Sequence, residues 1–234
     1  MDVLRIPLWR LEIMAAIMKI RYICRKRQAW PKTALAVLAN IVSLVVVGRK
    51  GRALASFFWY ARLLDNNTDG SGQFHAISLS QYLSHRRRIL QSLTTGRQIE
   101  TSNLLGEDWL VVHVIVYRRT LGQDSIPALI EMGNEFLTDA SRYCDGESFP
   151  TDEQVRSIRK AIRLFLTFAL ELVGSETLDA RAFASSFEPF LFEADNLADF
   201  LHDVQVGLIN VPRVNLEKDG IVIDHLMVCR SWQE

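Results

Sequence analysis

The chain of 234 residues is 49 % apolar and carries 27 basic and 27 acidic side chains, so its formal net charge is zero. This length fits one large domain, and so high an apolar fraction excludes an intrinsically disordered chain. The three cysteines are scattered without a C-x-x-C pair, which argues against a disulfide framework and against a thiolate metal site. We therefore predict a globular protein of a reducing compartment, the cytoplasm.

Charge is distributed unevenly along the chain. Residues 1–62 contain twelve Lys and Arg but only two acidic residues, Asp2 and Glu12, and the remainder has an acidic excess of ten. A basic, apolar N-terminal third predicts peripheral contact with a membrane surface, or with an anionic ligand, rather than with nucleic acid. Chance clustering of charge on a solvated helix face is the alternative.

The first fifty residues show no segment that we expect to be removed or to span a bilayer. Arg5, Arg10 and Glu12 interrupt the start, so a cleavable signal peptide is not expected. The apolar run at Thr33–Val47 has 15 residues and would extend about 22 Å as a helix, whereas a bilayer core needs about 20 such residues. We predict a buried core helix there, with a membrane-dipping helix as the alternative.

Asp65 and Asp69 stand at the end of the next apolar segment, ALASFFWYARLLDNNTDG. Residues i and i+4 of a helix share one side, with Cβ atoms roughly 5–6 Å apart, so two carboxylates there repel each other unless a cation lies between them. Mg²⁺ is a hard cation that takes oxygen ligands and is often shared with substrate phosphates. Two other interpretations stay open. The run also fits half of a calcium loop, although Ala76 stands where the bidentate Glu belongs, and an Asx-rich turn capping a helix needs no metal.

Helical periodicity dominates the rest of the chain, and we predict an all-α protein with about seven helices. The run from Val111 to Tyr117 is β-branched but has no partner strand nearby, which favours a buried helix. Arg86, Arg87 and Arg88 are most simply a solvated helix face. Further predicted helices are Ser80–Leu93, Trp109–Leu121, Asp152–Gly174 and Leu178–Val206.

Asp195, Asp199 and Asp203 recur at four-residue spacing in the last of these helices. Three aspartates in one column are unusual because Asp is a mediocre helix former and because like charges at this spacing are unfavourable. Metal binding would explain both departures. Two such acidic sites, one on each of two helices, predict an oxygen-lined cage for Mg²⁺.

These residues resemble the squalene/phytoene synthase family of isoprenoid synthases. That family ends one helix with R-x-x-D-D-x-x-D, where this chain has Arg62 to Asp69, and another with N-x-x-x-D-x-x-x-D, where it has Asp195 to Asp203. Gly207 and Pro212 follow in register, and the similarity covers roughly residues 40–222.

The resemblance implies an isoprenoid-synthase-like helical bundle with a central apolar cavity over residues 40–234, preceded by a basic, apolar helical extension over residues 1–39. It implies a Mg²⁺-dependent prenyltransferase that condenses two prenyl diphosphates head to head. The cavity candidates are Phe57, Phe58, Phe165 and Phe168, for which plain core packing is the alternative. The implied catalytic and metal-binding residues are Asp65, Asp69, Asp199 and Asp203, with Asp195 as a further metal ligand and with Arg52 and Arg62 as diphosphate ligands.

Departures from the family pattern keep two other functions open. Asn66 replaces the second Asp of the first motif, and Leu208 and Asn210 replace an Arg and a Tyr that follow the glycine of the second. These changes favour a catalytically silent relative that acts as an interaction or assembly protein. A terpene cyclase that uses one prenyl diphosphate is the third possibility.

Overall fold

The computed structural model describes residues 5–25, 48–68, 78–95, 97–124, 126–145, 149–174, 179–206, 209 and 211–221, with some side chains inside helices not described. These residues are all-α: they form eight α-helices and no strands. The prediction of an all-α protein is confirmed. The predicted core helix at Thr33–Val47 lies outside the described residues.

Eight helices follow one another along the described chain. The first four are α1 (Leu8–Arg25), α2 (Gly48–Thr68), α3 (Leu79–Thr94) and α4 (Gly106–Thr120), with a 3₁₀ helix at Thr101–Asn103 between the last two. The others are α5 (Ile126–Asp145), α6 (Asp152–Val173), α7 (Ala180–Val206) and α8 (Arg213–Lys218). None of these described helices is both long enough and apolar enough to cross a membrane.

The start of α6 shows how local sequence sets a helix boundary. The Thr151 N–H donates to Gln154 Oε1 at 2.7 Å, and the Gln154 N–H donates to Thr151 Oγ1 at 3.2 Å. This capping box satisfies two backbone donors that the first turn leaves without helical partners. At the other end Gly174 has φ +66°, the left-handed conformation that glycine adopts without a steric cost.

The β-branched run at Val111–Tyr117 is helical, as predicted. It lies within α4, which is buried on most of its surface, and four of its aliphatic side chains are at most 1 % exposed: Val111, Val112, Val114 and Ile115. Burial on all sides removes the polar face that would give a helical period. The absence of such a period therefore did not indicate a strand here.

The chain divides into two compact units made of interleaved segments. The first contains Met1–Asn66, Arg86–Ile130 and Phe168–Ser175, and the second contains Asn67–His85, Glu131–Thr167 and Glu176–Glu234. In the first unit α1 packs against α4. The proposed boundary between residues 1–39 and 40–234 stays a prediction.

In the second unit, ion pairs join the neighbouring helices to α6. Glu188 of α7 is 1 % exposed and accepts from Arg159 Nε at 2.6 Å and from Arg163 Nη1 at 3.2 Å. Lys160 Nζ lies 2.6 Å from Glu135 and 3.1 Å from Glu131, both on α5. Three basic residues of α6 thus form ion pairs that join α6 to α7 and to α5.

Candidate functional site

The three aspartates of the second motif lie in one uninterrupted helix. Asp195, Asp199 and Asp203 fall in the second half of α7, which continues to Val206. Four residues of helix advance about 6 Å, so the three backbone positions follow one another along the same side. The side chains of these aspartates lie outside the described part of the structure.

The first motif is described only as far as its helix. Asp65 stands in the last turn of α2, three residues before the end of the helix at Thr68, and its side chain is not described. Asp69 lies outside the described residues. Asp65 and the three aspartates of the second motif therefore stand on different helices, α2 and α7.

Among the described side chains, no group of three or more His, Cys, Asp or Glu is arranged to hold a metal ion. That finding does not reach the aspartates of the two motifs, whose side chains are not described. Their carboxylates are the donor type that Mg²⁺ prefers, and the helical backbone of α7 places three of them at regular spacing on one side. The donor set of the chain fits this cation.

The two arginines predicted to bind diphosphate have different surroundings. Arg52 is 18 % exposed, and its Nε and Nη2 donate to Glu12 Oε1 of α1 at 3.2 and 3.1 Å. Its guanidinium is therefore engaged in an ion pair between α1 and α2. Arg62, one turn before Asp65, is exposed on α2.

Two of the predicted cavity phenylalanines are packed core residues. The Phe57 ring, 0 % exposed, lies 4.5 Å from the ring centroid of Phe168, which is 3 % exposed. The Arg118 guanidinium stands 4.7 Å from the Phe168 ring centroid, a favourable cation–π distance. Phe58 is 54 % exposed. For Phe57 and Phe168 the structure supports core packing.

A buried ionic cluster, which the sequence reading missed, joins α3 and α4 in the first unit. Arg86 is 1 % exposed, and its Nη2 lies 2.5 Å from Asp108 Oδ1 while its Nη1 lies 3.7 Å from Glu107 Oε1. Asp108 Oδ2 also accepts the Leu105 N–H at 2.7 Å, which caps α4. One buried cation thus pairs with two buried carboxylates, and one of these carboxylates also caps the N-terminus of α4.

The interpretation of residues 86–88 as a solvated face is therefore wrong for Arg86 and correct for Arg87 and Arg88, which are exposed. Arg86 lies four residues after Tyr82 and four before Leu90, both buried, so it occupies the apolar side of α3. This four-residue spacing from apolar residues was the feature of the sequence that indicated burial of Arg86. The two acidic partners follow 21 and 22 residues later and gave no local sign of the pairing.

A second buried polar group lies where α1, α2 and α4 meet. Ser56 Oγ and His113 Nδ1 are 2.9 Å apart, and both side chains are 0 % exposed. Burial, together with the charges of Lys19 and Arg52, lowers the pKa of His113 to about 3. The imidazole is therefore neutral at pH 7.

Lys19 is a buried basic residue whose charge acts on this pair. It is 2 % exposed on α1, and burial, followed by repulsion from Arg52, lowers its pKa to about 8. A neutral imidazole can in principle take a proton from a serine hydroxyl. Because neither Ser56 nor His113 reaches solvent, we interpret their contact as a polar pair of the core. The second ring nitrogen, His113 Nε2, is also buried and has no hydrogen-bond partner among the described residues.

No protein-family model, no curated protein and no solved structure matches this chain.

Proposed function

We propose that this chain is a Mg²⁺-dependent prenyltransferase of the squalene/phytoene synthase type, which joins two prenyl diphosphates head to head. The proposal includes an isoprenoid-synthase-like bundle around an apolar cavity. The observation that carries it is the position of Asp195, Asp199 and Asp203 on one continuous helix. Each like-charged pair at this spacing costs a helix roughly 0.2–0.5 kcal/mol, and a divalent cation between the carboxylates offsets that cost.

Asp65 supports the same interpretation from a second helix. It stands in the last turn of α2, where the pattern Arg-x-x-Asp places the exposed Arg62 one turn before it. An arginine one turn from a metal-binding carboxylate would be able to bind the oxygens of a diphosphate. We assign that contact to Arg62. Arg52 is paired with Glu12, and we assign it the role of holding α1 against α2.

When bound, Mg²⁺ would neutralise charge on the departing diphosphate of an allylic substrate. The chain itself would contribute carboxylates that hold the metal, a guanidinium that orients the diphosphate, and apolar side chains that keep water from the reacting carbon. The substrate class that fits these three contributions is a prenyl diphosphate.

The test is incubation of the purified full chain with farnesyl and geranylgeranyl diphosphate and Mg²⁺, followed by measurement of released diphosphate and extracted hydrocarbon. We expect diphosphate release with a product of doubled carbon count, and we expect Asp65→Asn and Asp199→Asn each to abolish it. The matched control is Asp179→Asn at the N-terminus of α7. There the side-chain oxygen accepts from the Arg181 and Ala182 N–H groups, a role that Asn also fills, so turnover should persist.

Two other outcomes would replace the proposal. A product with the carbon count of one substrate would identify a terpene cyclase. Absence of diphosphate release by the folded, helical protein would favour a catalytically silent relative that acts through interaction or assembly. Asn66, Leu208 and Asn210, which depart from the family pattern, favour that second candidate.

A further inference from the structure

Helix α1 exposes a row of large apolar side chains. Trp9 is 57 % exposed, Ile13 is 51 % exposed and Ile17 is 42 % exposed. These residues follow one another at four-residue intervals and therefore share one side of the helix. We call them the Trp9–Ile17 stripe.

The stripe is not the side by which α1 joins the protein. The packing side consists of buried residues, namely Leu11, Ala15, Lys19 and Tyr22. A helix has 3.6 residues per turn, so these positions lie on the side opposite the stripe. One apolar side accounts for the packing of α1 in the first unit, and the second apolar side has no role in the fold described so far.

Arginines border the stripe. Arg10 lies three residues before Ile13, and Arg21 lies four residues after Ile17, so both neighbour the stripe on the helix surface, and both are exposed. The Arg10 guanidinium stands 5.5 Å from the ring centroid of Trp9. The exposed side of α1 therefore combines apolar side chains with positive charge.

The acidic residue of α1 is paired with arginines of α2. Glu12 is the one acidic residue in the sequence of this helix, and its Oε1 accepts from Arg52 at 3.1 Å and lies 4.0 Å from Arg49 Nε. Its charge is compensated by α2. No negative charge of α1 remains to oppose an anionic surface.

We propose that the Trp9–Ile17 stripe docks on an anionic lipid surface, with α1 lying in the plane of the interface. Trp9, Ile13 and Ile17 would enter the boundary between headgroups and acyl chains, while Arg10 and Arg21 would contact lipid phosphates. Tryptophan favours this boundary because its ring is apolar and its N–H is polar. Charge complementarity selects this occupant: residues 1–62 carry twelve basic and two acidic residues, and bilayers with acidic lipids have a negative surface.

The inference does not depend on the proposed catalytic function, because α1 bears none of the motif aspartates. The test is flotation of the purified full chain with phosphatidylcholine vesicles that contain, or lack, phosphatidylserine. We expect binding to the anionic vesicles to be stronger by roughly tenfold or more, given two arginines at the surface, and to weaken as salt screens the charges.

Variants assign the binding to this face. Ile13→Ser with Ile17→Ser should reduce binding to anionic vesicles at least about tenfold, because the apolar contact is lost. Arg10→Gln with Arg21→Gln should remove most of the preference for anionic over neutral vesicles. The matched control is Leu121→Ser, which changes a similarly exposed leucine, 55 %, at the end of α4 and should leave binding unchanged. Circular dichroism of each variant verifies that the helices are retained.

Three results would overturn the proposal. The first is equal binding to neutral and anionic vesicles, and the second is undiminished binding of the folded double isoleucine variant. The third is self-association in the absence of lipid that the same isoleucine variant abolishes, which would assign the stripe to a second copy of the chain.

Discussion

Arg86 shows at the scale of a single residue how an ionised group is tolerated in a helical core. Moving its guanidinium out of water is costly, and the two carboxylates of Glu107 and Asp108 offset that cost only while all three groups remain together. The ring of Tyr60 lies 5.6 Å from the same guanidinium and adds a cation–π contact. The cluster is thus a strong determinant of how α3 and α4 pair in the first unit.

Removing the central cation should destabilise the fold severely. We expect Arg86→Met to lower the free energy of unfolding by about 3–5 kcal/mol, because it leaves buried carboxylates without their cation. Arg87→Met, one position along on the exposed side, should change it by about 0.5 kcal/mol or less. Urea denaturation followed by circular dichroism measures both. Equal effects of the two substitutions would show that the buried cluster contributes no more to the free energy of unfolding than an exposed arginine does.

His113 carries a pH dependence of stability with a definite sign. Its pKa is about 3 in the folded protein and near 6.5 in the unfolded chain, so between these values the unfolded state binds the additional proton. The contribution of His113 to stability is present above pH 6.5 and is lost as the pH falls toward 3. The slope is about 1.4 kcal/mol per pH unit in the middle of that range.

We therefore expect His113→Gln to flatten the pH dependence of the free energy of unfolding between pH 4 and pH 6. The measurement is urea denaturation across this range, and the comparison is of slopes, since loss of the contact with Ser56 alters the absolute stability at every pH. His85→Gln, which changes a partly buried histidine of α3 outside the Ser56–His113 contact, is the control. An unaltered slope in His113→Gln would show that the buried imidazole does not govern acid unfolding.

At the scale of helices, Glu188 connects α6 and α7 in a different way from the Arg86 cluster. The carboxylate is 1 % exposed, but the side chains of its partners Arg159 and Arg163 are 39 % and 43 % exposed. If the carboxylate is removed, these arginines can regain water, whereas the partners of Arg86 cannot. The helix pair should therefore lose less stability than the first unit does when its cluster is broken.

We expect Glu188→Gln to lower the free energy of unfolding by about 1–3 kcal/mol, because two charge-assisted hydrogen bonds are weakened and their acceptor is buried. Glu193→Gln, an exposed position on the same helix, should be nearly neutral. Thermal and urea denaturation of the two variants provide the comparison. A larger loss for Glu188→Gln than for Arg86→Met would contradict the argument from exposure of the partners.

At the scale of the whole molecule, zero net charge conceals a basic N-terminal third and an acidic remainder. The motif aspartates all lie in the acidic remainder, and the metal proposal assigns them a cation that would relieve their repulsion. The basic third bears the stripe that we propose to face lipid. The distribution of charge is therefore consistent with both proposals: the metal proposal concerns the acidic part of the chain, and the lipid proposal concerns the basic part.

The metal proposal predicts a cooperative effect of two ligands on thermal stability. Mg²⁺ together with diphosphate should raise the melting temperature more than the sum of the shifts that each produces alone, because each ligand brings the counter-charge that the other needs. Differential scanning fluorimetry measures this, with NaCl at matched ionic strength as the control. An equal shift with NaCl would attribute the effect to screening and argue against a metal site.

The sequence by itself determined the helical class and the start and end of helices such as α6, because capping side chains and apolar periodicity act within a few residues of one another. It also placed Asp195, Asp199 and Asp203 in one column, since helical spacing alone fixes that arrangement. Only the tertiary structure decided that Arg86 is buried with Asp108, that Ser56 meets His113, and that the Trp9–Ile17 stripe faces outward. Those features depend on which helices pack together, and a residue's own neighbours in the sequence carry no record of partners that lie 22 or 57 positions away.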